Sequence, residues 1–110
     1  MTPIESLRKV LPEDRVLDGA EDLLHYGSDW SRHQKPAPMA VALPQSEAEV
    51  QALVRWAVLE RQSLVPSGGR TGLSGGAVAA NGEVVLSLER MRGILEFDSV
   101  DRTLKVQAGA

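Results

Sequence analysis

No cysteine occurs in this 110-residue chain, which excludes disulfides, thiolate metal sites and a cysteine nucleophile. Nor is there a basic block: 12 Lys and Arg stand against 15 Asp and Glu, a formal charge of −3. That balance argues against a nucleic-acid partner, whose affinity needs clustered basic residues. The apolar runs are far too short to span a membrane. The first residues lack the basic start and apolar stretch of a secretory signal. These absences suit a cytoplasmic protein. What remains is an ordinary globular composition, 43% hydrophobic and 25% charged, in a chain long enough for one domain at most. No repeat, low-complexity tract or linker divides it.

The most informative stretch is Pro66-Ser67-Gly68-Gly69-Arg70-Thr71-Gly72-Leu73-Ser74-Gly75-Gly76-Ala77, which holds five of the chain's ten glycines. It lies between two apolar runs, Ser63 to Pro66 and Glu83 to Leu88, that read as strands. Glycine lets a ligand approach the main chain without meeting a Cβ, and successive exposed N–H groups form an anion-binding nest. Thr71 and Ser74 add hydroxyls, and Arg70 is the only formal charge in the loop. A phosphate or pyrophosphate cradle fits this chemistry; a plain turn between strands is the bland alternative.

The common nucleotide templates are missing. No glycine has partners at both +2 and +5, no G-x-x-x-x-G-K-[ST] occurs, and the loop contains no lysine. No helix is evident after it, so capture by a helix dipole is not available. Any phosphate is held here by backbone nests and hydroxyls between strands.

Along the chain, Thr2-Pro3-Ile4-Glu5 is a capping box with proline at the first helical position, so residues 3 to 11 are expected to form a short amphipathic helix ended by Pro12. Arg15 to Leu17 is expected to be extended, and Ala20 to Leu24 to make one helical turn. His25 to Pro38 is polar and irregular, a surface segment with Trp30 as its anchor. Its two histidines, His25 and His33, are eight apart without acidic partners at helical spacing, which disfavours a metal site. Met39 to Pro44 is expected to be a strand. Ser46 and Glu49 make a second capping box before Val50, Leu53, Val54, Ala57 and Val58, the apolar stripe of a helix over roughly residues 47 to 61. Trp56 falls off that stripe, at the core edge or against another lobe. Strand, helix and strand make a βαβ unit with a right-handed crossover, and ligands of open α/β sheets bind beyond the carboxyl ends of the strands. The glycine loop lies at such an end. Residues 94 to 97 and 103 to 107 read as a hairpin with a five-residue loop over 98 to 102.

The runs P-S-G-G-R-T-G-L-S-G-G-A, N-G-E-V-V-L-S-L-E-R-M-R-G-I-L-E-F-D and R-T-L-K-V-Q-A-G-A resemble the FAD-binding domain of the vanillyl-alcohol-oxidase flavoproteins, also called the PCMH type. Within them the chain looks most like the D-2-hydroxyacid dehydrogenases acting on D-2-hydroxyglutarate, D-lactate or glycolate. The resemblance runs from about Leu17 to the last residue. It implies an α+β fold: a small βαβ lobe, then the start of a second antiparallel β lobe, with residues 1–38 as helix and lead-in and 39–110 as the flavin-binding lobe. It also implies FAD, wrapped at its pyrophosphate by Gly68, Gly69, Arg70, Thr71 and Gly72, with Gly75, Gly76 and Ala77 closing the loop. The family usually has Gly or Asn where Arg70 stands, and the guanidinium either pairs with the pyrophosphate or points to solvent. The flavin would take hydride from C2 of the hydroxyacid, and a quinone or an electron-transfer flavoprotein would reoxidise it. In the resembling dehydrogenases the base, the substrate arginines and a divalent metal site belong to a C-terminal substrate domain, so no catalytic residue or metal ligand is assigned here. Some relatives carry flavin covalently on a histidine; nothing around His33 supports that. The chain stops at Val106 to Ala110 inside an apparent strand, as expected of an N-terminal portion. The alternatives are another oxidase or dehydrogenase of the superfamily, of glycolate or aldonolactone type, and a partial domain that holds no flavin.

Overall fold

The computed structural model describes residues 1–31 and 34–110; His33 lies outside the described residues. The first helix, α1 (Pro3–Val10), begins with the reciprocal cap foreseen at Thr2 and Glu5: Glu5 N–H donates to Thr2 Oγ1 at 3.2 Å, and Thr2 N–H to Glu5 Oε2 at 3.1 Å. A single 3₁₀ turn at Glu13–Arg15 leads into β1 (Val16–Leu17). The expected single turn after it is a full helix, α2 (Ala20–Tyr26). Strand β2 (Ala40–Ala42) and helix α3 (Glu47–Glu60) follow.

The second capping box forms only by half. Ser46 Oγ accepts from Glu49 N–H, but the Glu49 carboxylate turns away to accept from Gln45 N–H at 2.7 Å and Arg15 Nε at 3.1 Å. That ion pair ties the 3₁₀ turn to the start of α3.

β3 (Leu64–Ser67) and β4 (Val84–Ser87) complete a four-stranded sheet of order β1-β2-β4-β3, parallel except for β1. Strands β2 and β3, joined by α3, run parallel but are not neighbours: β4 lies between them, with Val84 opposite both Ala40 and Leu64. All four β4 residues are buried, as suits a central parallel strand covered on both faces. Its side chains alternate between two apolar layers. Val84 and Leu86 join Leu7, Leu53 and Trp56 under α1 and α3, while Val85 joins Val41, Leu43 and Ala79 on the opposite face, with Leu23 and Tyr26 of α2 packed against them.

Trp56, expected at the edge, is core. It is 4% exposed and its Nε1 donates to Ser6 Oγ at 2.9 Å, whereas Val54 and Val58 of the expected stripe are 42% and 70% exposed. The stripe is rotated because α3 packs against α1 as well as against the sheet. Replacing Ser6 with Ala leaves the indole N–H buried without an acceptor. The expected cost is about 1–2 kcal/mol of unfolding free energy, read by urea titration.

Strands β5 (Ile94–Asp98) and β6 (Thr103–Val106) form the expected antiparallel hairpin as a separate two-stranded sheet. Asp98 pairs with Thr103, so the loop is one residue shorter than expected, and an irregularity between Ile94 and Glu96 explains the imperfect alternation. Ile94, Phe97 and Leu104 are 69%, 70% and 56% exposed. Among the described residues, no helix is long and apolar enough to cross a membrane.

Candidate functional site: a glycine loop across the strand ends

Parallel strands need a long connection, and between β3 and β4 it is the segment 68–83, with no helix in it. The loop leaves the carboxyl end of β3 beside the carboxyl end of β4, where Leu88 N–H donates to Ser67 O at 3.0 Å. Gly68, Gly69 and Arg70 form one wall of a cleft of about 270 Å³; Glu89 and Arg92, after β4, and residues 108–110 form the rest. Gly109 closes this floor, with its N–H donating to Met91 O at 2.8 Å.

The glycines sort by what demands them. A Cβ at Gly109 would lie 1.7 Å from Leu88 O, and one at Gly27 2.6 Å from Leu23 O. Those two are packing glycines. Gly75 has φ +81°, which favours glycine. Gly68, Gly69 and Gly76 answer to neither requirement: no heavy atom lies within 4 Å of a Cβ built there, and none has a positive φ. A cluster of glycines that neither backbone nor packing requires is what a close ligand approach needs.

The loop does not bring all eight expected residues into one cleft. Gly68, Gly69 and Arg70 line the one described; Gly75 lines another with Ser31, Gln34, Ser74 and Val78. Thr71 and Gly76 are exposed. Arg70 has a definite place. Its backbone is left-handed at φ 59°, a conformation that Gly or Asn adopts most readily. The guanidinium folds back onto α2, 4.9 Å from the centre of the Tyr26 ring and 3.2 Å from His25 Nε2. Arginine has only donors, so His25 Nε2 is the acceptor. Tyr26 in turn donates its hydroxyl to Glu89 at the cleft. Burial, and then the Glu89 carboxylate, push the Tyr26 phenol above its ordinary value of 10.0, with Arg70 and Arg90 opposing.

Trp30 is not the anchor of its segment, being 66% exposed; Asp29 beside it is 8% exposed. Asp29 Oδ1 accepts from Ser31 N–H at 2.7 Å and from the Ser31 hydroxyl. The Ser31 hydroxyl is the main cause holding this carboxyl below its ordinary value, against the effect of desolvation, and the main-chain N–H groups of Ser31, Ala77 and Gly75 add to it. Sequence reasoning missed Tyr26, Asp29 and Glu89. Only the aspartate carried a faint signal, an acidic residue followed two positions later by serine.

The family model for "FAD binding domain" matches residues 38–110. The chain belongs to this FAD-binding family. The domain is 60% identical over 106 residues to a protein named D-2-hydroxyglutarate dehydrogenase from Xanthomonas citri pv. viticola, covering 96% of this chain and 22% of that one. It thus spans under a quarter of that relative's length. In fold it is similar to an alkyldihydroxyacetonephosphate synthase structure (TM-score 0.85, 23% identity, covering 99% of this chain and 23% of that one). It is similar also to p-cresol methylhydroxylase (TM-score 0.74, 23% identity, covering 87% and 19%). The α+β, PCMH-type reading of the fold is borne out, and FAD is the cofactor that the family and the open glycine cradle both fit.

Proposed function

We propose that the chain is the FAD-binding N-terminal portion of a flavin-dependent D-2-hydroxyacid dehydrogenase, with residues 39–110 as its flavin-binding lobe. D-2-hydroxyglutarate is the preferred substrate in this reading and D-lactate the runner-up. The observation that carries the reading is the set of glycines at 68, 69 and 76, which no neighbour and no backbone angle requires. When bound, FAD supplies the hydride acceptor for oxidation of the C2 hydroxyl to a 2-oxoacid. Residues of this chain bind and orient: Gly68, Gly69, Thr71 and Gly72 offer main-chain N–H groups to the pyrophosphate, while Gly75, Gly76 and Ala77 close the loop. Arg70 steadies the loop from behind through Tyr26 and His25, and Arg92 supplies positive charge to the cleft. The base that takes the hydroxyl proton is assigned to no residue here. The preference for D-2-hydroxyglutarate rests on the 60% identity to a dehydrogenase of that name. We assign reoxidation to a quinone or an electron-transfer flavoprotein, and the protein to the cytoplasm.

The test is the visible spectrum of the full-length protein, before and after anaerobic addition of D-2-hydroxyglutarate, D-lactate or glycolate. Flavin bands bleached by D-2-hydroxyglutarate are expected. Flavin that no hydroxyacid bleaches would overturn the substrate assignment, and a colourless protein that FAD cannot reconstitute would overturn the cradle.

A further inference from the structure

We propose that Asp29 is the positioning residue of the glycine loop: its buried carboxylate, fixed by Ser31, backs the loop at Gly72 and Gly75 and holds 68–77 in the shape that takes a diphosphate. The last clause rests on the reading of the loop given above; the hold on the loop does not.

Three observations carry it. First, the loop has little else to order it. Among the described residues, segment 68–77 makes no backbone–backbone hydrogen bond to the rest of the chain; Gly75 O accepts at 3.2 Å from Val78 N–H just beyond it. Beyond the loop the chain is stitched down again, Ala79 N–H to Gly27 O at 2.9 Å and Ala37 N–H to Ala79 O at 2.7 Å. Those bonds bring the segment that carries Asp29 alongside the far end of the loop.

Second, the Asp29–Ser31 pair lies directly behind the loop. A Cβ at Gly72 would lie 3.9 Å from Asp29 Oδ2, and one at Gly75 3.8 Å from Ser31 Oγ. Third, the carboxylate is committed on one oxygen only. Oδ1 takes two donors from Ser31, while Oδ2 is buried without a hydrogen-bond partner among the described residues. A buried carboxylate oxygen left unpaired is costly, and the side of the loop at Gly72 is what it faces; the main-chain N–H groups of Gly75 and Ala77 favour the charged form. The amides of 68–72 make no backbone–backbone hydrogen bond among the described residues and stay free for an anion.

Other ionisable groups face Asp29. His25 and Arg70 line the cavity on one side of it and Lys35 the cavity on the other. All three are unchanged in the comparison below.

The experiment uses the full-length protein with its flavin removed. Trypsin cleaves after Arg70 faster the less firmly the loop is held, and mass spectrometry reads the fragment that ends there. Asp29→Asn is expected to speed this cleavage about tenfold and to weaken FAD binding, followed by flavin fluorescence, by a similar factor, the equivalent of one lost charge-assisted bond. Ser31→Ala, at a half-exposed position, is expected to act in the same direction with smaller effect, and it carries the test if Asp29→Asn does not fold. A pH arm separates the carboxylate from mere packing. Because the folded-state pKa lies below the ordinary 3.8, the contribution is present above that value and is lost as pH falls through the lower folded-state value. The Tm gap between wild type and Asp29→Asn therefore narrows on acidification from pH ~5 toward ~3. Unchanged cleavage in a folded variant, or a gap that does not narrow, would overturn the proposal. Faster cleavage with unchanged FAD affinity would keep Asp29's hold on the loop and overturn the cradle reading instead.

Discussion

Valine at Gly69 or Gly76 is expected to leave the fold standing and to strip the full-length protein of its flavin. The two halves of that result have separate causes. No heavy atom lies within 4 Å of a Cβ at either position, and neither has a positive φ. The flavin-free variants should therefore unfold within about 0.5 kcal/mol of wild type, as exposed substitutions generally do. The space the side chain enters is taken by FAD in our reading, at its pyrophosphate for Gly69 and where the loop closes against the cofactor for Gly76. Binding should fall by about 100-fold or more, which is near 2.8 kcal/mol at 1.4 kcal/mol per decade. Gly72→Val should behave alike, apart from an ordinary contact with Asp29 Oδ2 at 3.9 Å. Thermal melts of the flavin-free proteins and the flavin-to-protein ratio after purification read the two quantities. Stoichiometric flavin in either variant would show that the ligand does not approach the backbone there.

Gly109→Ala should do the opposite, damaging the fold first. Its Cβ would meet Leu88 O at 1.7 Å and Met91 O at 2.9 Å. Both are main-chain atoms, so no side chain can swing aside. Residues 108–110 must move off the exit of β4, breaking the Gly109 N–H bond to Met91 O and opening the floor of the cleft. The expected loss is about 3 kcal/mol of stability, the upper end of what over-packing ordinarily costs. Denaturant unfolding of the flavin-free protein should show it before any flavin is added. Equal stability would mean that the approach of residues 108–110 to Leu88 is not as described.

Most of the fold was legible because it rests on local signals. Thr2 and Glu5 announced α1, and the spaced apolar residues after Ser46 announced α3. The position of β4 was not: pairing between β2, β3 and β4 is non-local, and all three runs are apolar enough for the centre. Trp56 was misjudged because counting apolar positions finds a stripe but not which edge of it α1 will cover. At the site, the glycine loop was plain from composition alone. Tyr26 and Glu89 were not, because they meet across 63 residues of sequence; nor was Asp29, because only the fold lays its segment alongside the loop. Arg70 shows both limits at once. Its departure from the Gly or Asn usual in the family was visible, but only the backbone explains that preference, through φ 59°. Its partners, Tyr26 and His25, follow from the fold.

The most direct test of the central claim is hydrogen exchange at the main-chain amides of 68–77 in the full-length protein, with and without FAD. Exposed amides in a loop with few backbone bonds exchange freely, and those that receive a diphosphate are protected. Strong slowing is expected at Gly68, Gly69, Thr71 and Gly72 when FAD is added, with little change at the β5–β6 loop, residues 99–102. Flavin bound at full stoichiometry while the amides of 68–72 exchange as fast as before would contradict it.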